Sequence, residues 1–575
     1  MSAGEPEWGS DVVADFLRQA DVRYLSLNPG ASYRGLHDSL VNYLGAEDPS
    51  ILMCLHEEHA VALAHGYAKV TGSPMAVALH SNVGLMHASM AIYNAWADRV
   101  PVFIIGANGP MDASRRRPWI DWIHSSADQA ALVRNYVKWD DQPVSVQATL
   151  DSLVRAWEIV RTPPHAPTYV VLDTTMQESK LERPVPIPEL AEMPVVAPQV
   201  APADAIEQVT GALLSATSPV LLMGRMSKNL DDWNRRVKLA EAVGARVITD
   251  LKAGASFPMT HAAHVAGPSF FLTGEGARVL RAADVVVAFD WIDLGGTLAQ
   301  APADAERLVV NVSQDAQLHN GWSKDHFMRI PADLTLPIGP DTGVAQLVAA
   351  LPEGTAVDAE APDAAPAPEA TSNRITLPLL AWTVRDIMRD EQVTLARLPL
   401  GWDGDFWPFE HPLDSLGYDG GGGIGSGPGM LVGAALALRG SDRIPIGVLG
   451  DGDYLMGVQA LWTAARYSIP LIAVVSNNRS YFNDEVHQQK VAETRGRDVS
   501  RKWIGQRIDD PAPDLAGLAR AQGLEGIGPV TEPAELRRAL TEALRLYREG
   551  RAVVVDVVVE TGYSPAMAAG LSRES

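Results

Sequence analysis

The sequence predicts an α/β protein made of three doubly wound parallel-sheet domains. Three observations predict it. Short strand-like runs alternate with helical stretches along the whole chain. Those runs are uniformly apolar, as in parallel strands covered on both faces, and lack the apolar/polar alternation of a half-exposed sheet. Two proline-rich segments also cut the 575 residues into three blocks, and a chain this long is expected to divide its core among domains.

The first block, residues 1–182, contains VRYLSLNPG, SILMCLHEE, PMAVALHS and VPVFIIGAN, each an apolar strand running into a loop. It ends at 183-RPVPIPELAEMPVVAPQVAP-202, whose six prolines prevent a regular helix or central strand. The middle block, 203–352, gives SPVLLMG, ARVITDL, ADVVVAFD and RLVVNVS. An Ala/Pro/acid-rich run, 353-EGTAVDAEAPDAAPAPEATSN-373, reads as an extended linker. The last block, 374–575, gives QVTLARL, IPIGVLGDG, PLIAVVSNN and AVVVDVVVE. Ligands of such sheets bind beyond the carboxyl ends of the strands.

Composition narrows the function. A 47% apolar, 20% charged chain is that of a soluble globular protein. A formal charge of −23 argues against nucleic acid or an anionic membrane as a partner. Cys54 is the single cysteine, which excludes an internal disulfide framework and fits a reducing compartment. The polar start MSAGEPEWGS carries no signal-type apolar core, and no run of about 18 apolar residues suggests a membrane span. The expected location is the cytoplasm.

The chemistry is concentrated in 450-GDGDYLMGVQALWTAARYSIPLIAVVSNN-478. Asp451 stands at the carboxyl end of a predicted strand between Gly450 and Gly452, which let a ligand approach the backbone. VQALWTAARYS has helical periodicity, and a helix start suits a phosphate. PLIAVVSNN is the next strand and ends at Asn478. Strands joined by one helix bring their carboxyl ends together, so Asp451 and Asn478 supply two hard oxygens to Mg²⁺, with diphosphate and water completing the shell. Either piece alone reads as an ordinary turn. Their spacing of 27 residues (478 − 451), with strand, helix and strand in order, favours the cation.

This arrangement resembles the diphosphate-binding motif of the thiamine-diphosphate (ThDP) enzymes. The resemblance implies metal ligation by Asp451, Asn478 and the main-chain carbonyl of Ser480, with Gly452 and Asp453 against the diphosphate. Asp453 departs from the serine or alanine frequent in the family, and an acid there is repulsive unless it is turned away. The stretch 55-LHEEHAVALAHGYAKVTG-72 is similar to the segment that carries the family's activating glutamate, which maps to Glu57. That residue hydrogen-bonds the cofactor's aminopyrimidine and promotes loss of the thiazolium C2 proton. Read without the resemblance, Glu57 is an acid at a helix start.

Across nearly its whole length the chain is most similar to the benzoylformate decarboxylase and acetolactate synthase branch. The motif 79-LHSNVG-84 places His80, 23 residues after Glu57 (80 − 57), as the acid/base on the substrate-derived adduct. The segment 257-FPMTHAAH-264 points to His261 as a second such residue, a match shared by relatives with other activities. The run 420-GGGGIGSGPGM-430 puts Gly425 beside the pyrimidine, and leaves Gly427, Pro428 and Met430 as alternatives for the residue that props the cofactor. Three departures qualify the match. Ala31 follows NPG where the benzoylformate enzyme has a pocket serine, with Ser32 next; Glu58 stands where synthases have glutamine; and the tandem histidines of pyruvate decarboxylases are absent.

Two aromatic stretches, 118-PWIDWIH-124 and 401-GWDGDFWPFEHP-412, read first as packing and second as a pocket wall for a bulky or aromatic acyl group. The run 115-RRR-117 reads as a solvated face. The expected activity is ThDP- and Mg²⁺-dependent C–C cleavage beside a carbonyl, with decarboxylation of a 2-oxo acid to an aldehyde foremost. A synthase joining two carbonyl substrates is the alternative, and a ThDP-binding protein without turnover the second. The resemblance implies at least a homodimer and, beyond it, a tetramer. The middle block shows no GxGxxG fingerprint, so FAD is not expected.

Overall fold

A computed structural model describes residues 4–45, 48–190, 196–265, 267–318, 330–352 and 374–563. The 353–373 linker lies outside the described residues. The described residues form three sheets whose strand pairs are all parallel. The first holds β1 (Tyr24–Leu27), β2 (Ser50–Met53), β3 (Met75–Leu79), β4 (Val102–Asn108), β5 (Trp139–Asp141) and β6 (Thr168–Asp173), in the order β2-β1-β3-β4-β6-β5. The second holds β7 (Pro219–Met223), β8 (Arg246–Thr249), β9 (Val285–Phe289), β10 (Leu308–Val312) and β11 (Leu334–Leu336), in the order β11-β10-β9-β7-β8. The third holds β12 (Gln392–Arg397), β13 (Arg443–Gly450), β14 (Leu471–Asn477), β15 (Glu525–Val530) and β16 (Ala552–Val558), in the order β12-β13-β14-β16-β15.

Most of the apolar runs became inner strands, and every residue of β3, β4, β7, β9 and β14 is buried; SILMCL, ARVITDL and QVTLARL instead form β2, β8 and β12 at sheet edges. Of the strands outside the quoted runs, β5 (WDD), β11 (LTL) and β15 (EGIGPV) are edges, and β6 (TYVVLD) is an inner strand.

By internal contact the chain forms two compact units. One comprises Met1–Ala197, Asp419–Arg439 and Gly457–Ile469; the other comprises Pro198–Tyr418, Gly440–Met456 and Pro470–Ser575. The first unit thus combines the first sheet with two helices, Gly427–Ala437 and Ala460–Arg466, from the last third of the chain. Within it the Glu57–Thr71 helix, lined with Ala60, Ala62, Ala64 and Gly66, crosses the Gly427–Ala437 helix at backbone contact. A Cβ on Gly66 would stand 2.0 Å from the Met430 carbonyl oxygen, and one on Gly433 only 1.9 Å from that of Leu63. No larger residue fits at either point.

In the second unit the other two sheets share a core, where Trp233, Leu251 and Phe270 pack with Ile446, Val474 and Val555. At the carboxyl ends of β7 and β9, Arg225 reaches Asp290 at 2.9 Å and Asp315 at 3.0 Å, and Ser313 Oγ donates to Asp290 at 2.6 Å. Among the described residues no helix is long and apolar enough to cross a membrane.

Candidate active site

β13 and β14 are neighbours in register, Gly450 opposite Ser476, so the residues that follow them emerge at the same sheet edge. Asp451 opens the Asp451–Gly457 helix and is 4% exposed. Its Oδ1 accepts the Gly452 N–H at 2.9 Å. The Ser480 N–H is shared, 3.2 Å from Asp451 Oδ2 and 2.9 Å from Asn478 Oδ1. A single main-chain donor therefore gathers both expected side-chain ligands. The turn that delivers it passes through Arg479 at φ 58°, a left-handed conformation. It is held by Ser480 Oγ, which donates to the buried Glu485 at 2.5 Å, and by an ion pair from Arg507 to Glu485 at 3.5 Å. The two asparagines have separate duties: Asn477 Nδ2 donates to Asp556 at 2.9 Å, and Asn478 faces the loop.

Burial pushes the Asp451 carboxyl up to about 6, against the lowering effect of the N–H groups of Gly452, Arg479 and Ser480. A carboxylate withdrawn from water behaves this way, because burial penalises the charged form. The donor set, a carboxylate and an amide oxygen beside a main-chain carbonyl, fits Mg²⁺ in chemistry.

Asp453, the acid out of place in the sequence, is paired. Arg397 at the end of β12 brings Nε to 3.2 Å from Asp453 Oδ2, and the two side chains are 3% and 8% exposed. The same guanidinium lies 4.2 Å from the centre of the Tyr418 ring, a cation–π contact.

In the first unit Glu57 begins the Glu57–Thr71 helix and is 5% exposed. His87 Nδ1 donates to its Oε2 at 3.1 Å. Gly84 of the LHSNVG motif makes room for this carboxylate, since a Cβ there would lie 3.2 Å from Oε1. His56 caps the helix by accepting the Glu58 N–H at Nδ1, 3.1 Å away, and stacks on His87 with ring centres 4.9 Å apart and planes at 18°. Sequence reasoning missed His87. Its signal was available: His80 and His87 are seven residues apart (87 − 80), which places them on one face of the Ser81–Ala97 helix.

His80 precedes that helix as its N-cap residue. Its Nδ1 lies 2.8 Å from Ser32 Oγ, which also accepts the Ser81 N–H at 3.0 Å. Ser32, one position past the family's pocket serine, is thus the residue that meets the histidine. Gly30 is needed beside it, as a Cβ there would come within 2.5 Å of His80 Cβ. Burial holds the His80 imidazole below its usual pKa, the nearby His124 adds to this, and Glu57 opposes it. His124 stands with its ring centre 4.8 Å away.

The glycine run is clamped to the Ser81–Ala97 helix by Asn94, which donates to the Gly423 carbonyl at 3.1 Å and accepts the Gly423 N–H at 3.3 Å. Gly425 follows at φ 101°. Gly427, Pro428 and Met430 all fall buried in the first turn of the Gly427–Ala437 helix. Nearby, the buried Asp98 binds His65 at 2.8 Å and the Lys69 ammonium. The Lys69 charge and the hydrogen bond from His65 hold its carboxyl at about 2 despite burial.

His261 has both ring nitrogens engaged in the second unit, Nε2 3.2 Å from Glu241 and Nδ1 accepting the Ala263 N–H at 3.2 Å. Trp402, Trp407 and Phe409 are core residues, whereas Trp119 and Trp122 are 69% and 77% exposed. In the basic run, Arg117 pairs with Asp121 at 2.8 Å. Cys54 is a buried small residue, and burial pushes its thiol up to about 12.

Two family descriptions match the chain. The family description "Thiamine pyrophosphate enzyme, N-terminal TPP binding domain" matches residues 7–132, which hold Glu57 and His80. Its C-terminal TPP-binding counterpart matches residues 400–557, which hold Asp451, Asn478 and Ser480. Benzoylformate decarboxylase of Pseudomonas aeruginosa is 26% identical over 536 residues, 90% of this chain and 93% of that protein. The acetolactate synthase large subunit of Haemophilus influenzae is 24% identical over 576 residues, 96% of this chain and 94% of that protein. Among solved structures, a ThDP-dependent 4-hydroxybenzoylformate decarboxylase from Rhodococcus jostii RHA1 superposes with a TM-score of 0.79 at 21% identity, covering 97% of this chain and 99% of that one. A benzoylformate decarboxylase from Polynucleobacter necessarius gives 0.80 at 18% identity, covering 97% and 100%. With both cofactor-binding domains matched and relatives aligned nearly end to end, the chain belongs to the thiamine-diphosphate enzyme family.

Proposed function

We propose that the protein is a ThDP- and Mg²⁺-dependent lyase that cleaves the C–C bond beside the carbonyl of a 2-oxo acid, releasing CO₂ and an aldehyde. The observation that carries this reading is the Ser480 N–H shared by Asp451 and Asn478, a preformed hard-oxygen site at the sheet edge. When bound, ThDP supplies a nucleophilic carbon and an acceptor for the electron pair released as the C–C bond breaks.

The chain's own residues do the rest. Asp451, Asn478 and the Ser480 carbonyl would hold Mg²⁺, and Gly450, Gly452 and the Arg397-neutralised Asp453 would border the diphosphate. Glu57 would hold the aminopyrimidine end of the cofactor by a hydrogen bond, and Gly425 would lie on the same side. His80, kept neutral at pH 7 by burial and His124, transfers a proton at the substrate-derived carbon or oxygen while Ser32 steadies its ring. His261 serves as the second acid/base by exchanging Glu241 for substrate.

An aromatic or bulky acyl group is favoured. The Trp119–Trp122 segment adjoins the His80 helix, where Asn82 donates to the Ile123 carbonyl at 3.1 Å, and two relatives bear names for aryl 2-oxo acid decarboxylases. The working form is a homo-oligomer, a dimer at minimum and a tetramer by family resemblance, in the cytoplasm, without FAD. Near full-length similarity to acetolactate synthases supports a second reading, transfer of the acyl fragment to another carbonyl compound.

The test is to supply ThDP and Mg²⁺ with a panel of aliphatic and aromatic 2-oxo acids and to follow CO₂ and aldehyde separately. Aldehyde equal to CO₂ is expected with aryl substrates. CO₂ with a two-carbonyl product and little aldehyde selects the synthase, and no CO₂ from any substrate rejects the decarboxylase. Glu57→Ala is expected to abolish turnover while ThDP still binds; unchanged turnover rejects the mechanism.

A further inference from the structure

His56, Glu57 and His87 form a cluster of metal-binding side chains in which one ligand atom from each lies within 4.8 Å of the others. The carboxylate is buried, His56 is half-buried and His87 is 52% exposed on its side chain, so the cluster has a walled floor and an open approach. Two imidazoles and one carboxylate are a donor set suited to a borderline ion such as Zn²⁺ or Co²⁺, with a further position open to water. It differs in kind from Asp451 and Asn478, whose oxygens suit Mg²⁺. The His56 and His87 rings are already stacked, and His87 is already hydrogen-bonded to Glu57, so little side-chain ordering remains. Binding displaces two contacts: the His87–Glu57 hydrogen bond and the His56 cap on Glu58 N–H, or its tautomer.

We propose that His56, Glu57 and His87 bind a zinc-class divalent ion, and that this ion and ThDP compete for Glu57. The competition, though not the metal site, rests on the proposed contact between Glu57 and the aminopyrimidine. A zinc-class ion is then a reversible inhibitor that acts before the cofactor is seated.

The full-length protein, freed of ThDP and Mg²⁺, is titrated with Zn²⁺ by calorimetry and with Co²⁺ by visible absorption. The same titrations are run on His87→Ala, on His56→Ala and on wild type preloaded with ThDP and Mg²⁺. The proposal expects a tight ion whose affinity drops at least about tenfold in each variant, a Co²⁺ absorption band lost with it, and exclusion of the ion by preloaded cofactor. His87 is a surface side chain, and an unchanged thermal midpoint of His87→Ala confirms that folding is preserved; if the midpoint falls, His87→Gln, which removes the imidazole, replaces it. Zn²⁺ binding that is indifferent to both histidines overturns the site. Binding that needs His87 yet persists beside ThDP keeps the metal site, and overturns the competition together with the Glu57 contact it rests on.

Discussion

Arg397 Nε lies 3.2 Å from Asp453 Oδ2, with both side chains almost fully buried. The pair settles the one acid of the motif loop that repels a diphosphate. Removing one member strands a buried charge, which costs about 3–5 kcal/mol, whereas replacing both is far milder. Arg397→Met is therefore expected to lower unfolding stability by that amount and to weaken ThDP binding. Adding Asp453→Ser to it is expected to restore most of both. Urea unfolding and cofactor titration on the four proteins of the cycle measure the coupling.

The pH dependence of the cation site follows from Asp451, whose carboxyl sits at about 6. The folded pKa is raised above the unfolded value of about 3.9. The folded state thus binds more protons than the unfolded chain between those values, and stability falls as pH rises from about 4 to about 6, by on the order of 3 kcal/mol. Mg²⁺ needs the carboxylate, so its affinity is expected to fall as pH drops below about 6, approaching tenfold per unit. Calorimetric titrations between pH 5 and 8 check the slope. A flat profile contradicts it.

The His65–Lys69–Asp98 cluster works in the opposite sense. Lys69 and His65 depress the Asp98 carboxyl to about 2, below an unfolded value of about 3.9. Its stabilisation is complete above the unfolded value and is lost as pH falls toward 2. Lys69→Met is expected to destabilise at neutral pH by up to about 3–5 kcal/mol, since it leaves the buried Asp98 carboxylate with His65 as its remaining partner. The loss shows in chemical unfolding at pH 7 and shrinks in parallel experiments near pH 3.

Ser32→Ala removes the group that lies on His80 Nδ1 and also the acceptor of the Ser81 N–H. The variant is expected to fold, to lose roughly 10- to 100-fold in kcat, within the range of general acid–base catalysis, and to shift the pH–rate profile. A loss in KM alone, with an unmoved profile, rejects a role for Ser32 through His80.

Legibility in the sequence followed the range of the interaction. Asp451 and Asn478 were readable because strand, helix and strand fix the distance between two loop ends, and both loops are continuous in the chain. The inner strands were readable because burial on both faces leaves a run of apolar residues. Arg397 was not: it ends a strand 56 residues before Asp453 (453 − 397), and only the pairing of β12 with β13 brings the two together. His87 could be placed on the His80 face of its helix by spacing alone, but its contact with Glu57 could not be read, since Glu57 belongs to a different helix. The division into two units was not visible either. Residues 419–439 and 457–469 follow the last linker in the chain but join the first sheet, the former where glycines at 66 and 433 admit backbone contact between helices, the latter through Thr463 and Tyr467, which bond the Met53 backbone of β2.

That contact makes the Glu57–Thr71 helix a lever. Gly66 is its fulcrum against Met430, and Glu57 is the tip, nine residues away (66 − 57). At 1.5 Å per residue the arm is about 13 Å long, so a tilt of about 5° moves the carboxylate by roughly 1.2 Å. A misplacement of about 1 Å can lower a rate by about 100-fold. A single methyl group at position 66 thus acts on chemistry it never approaches.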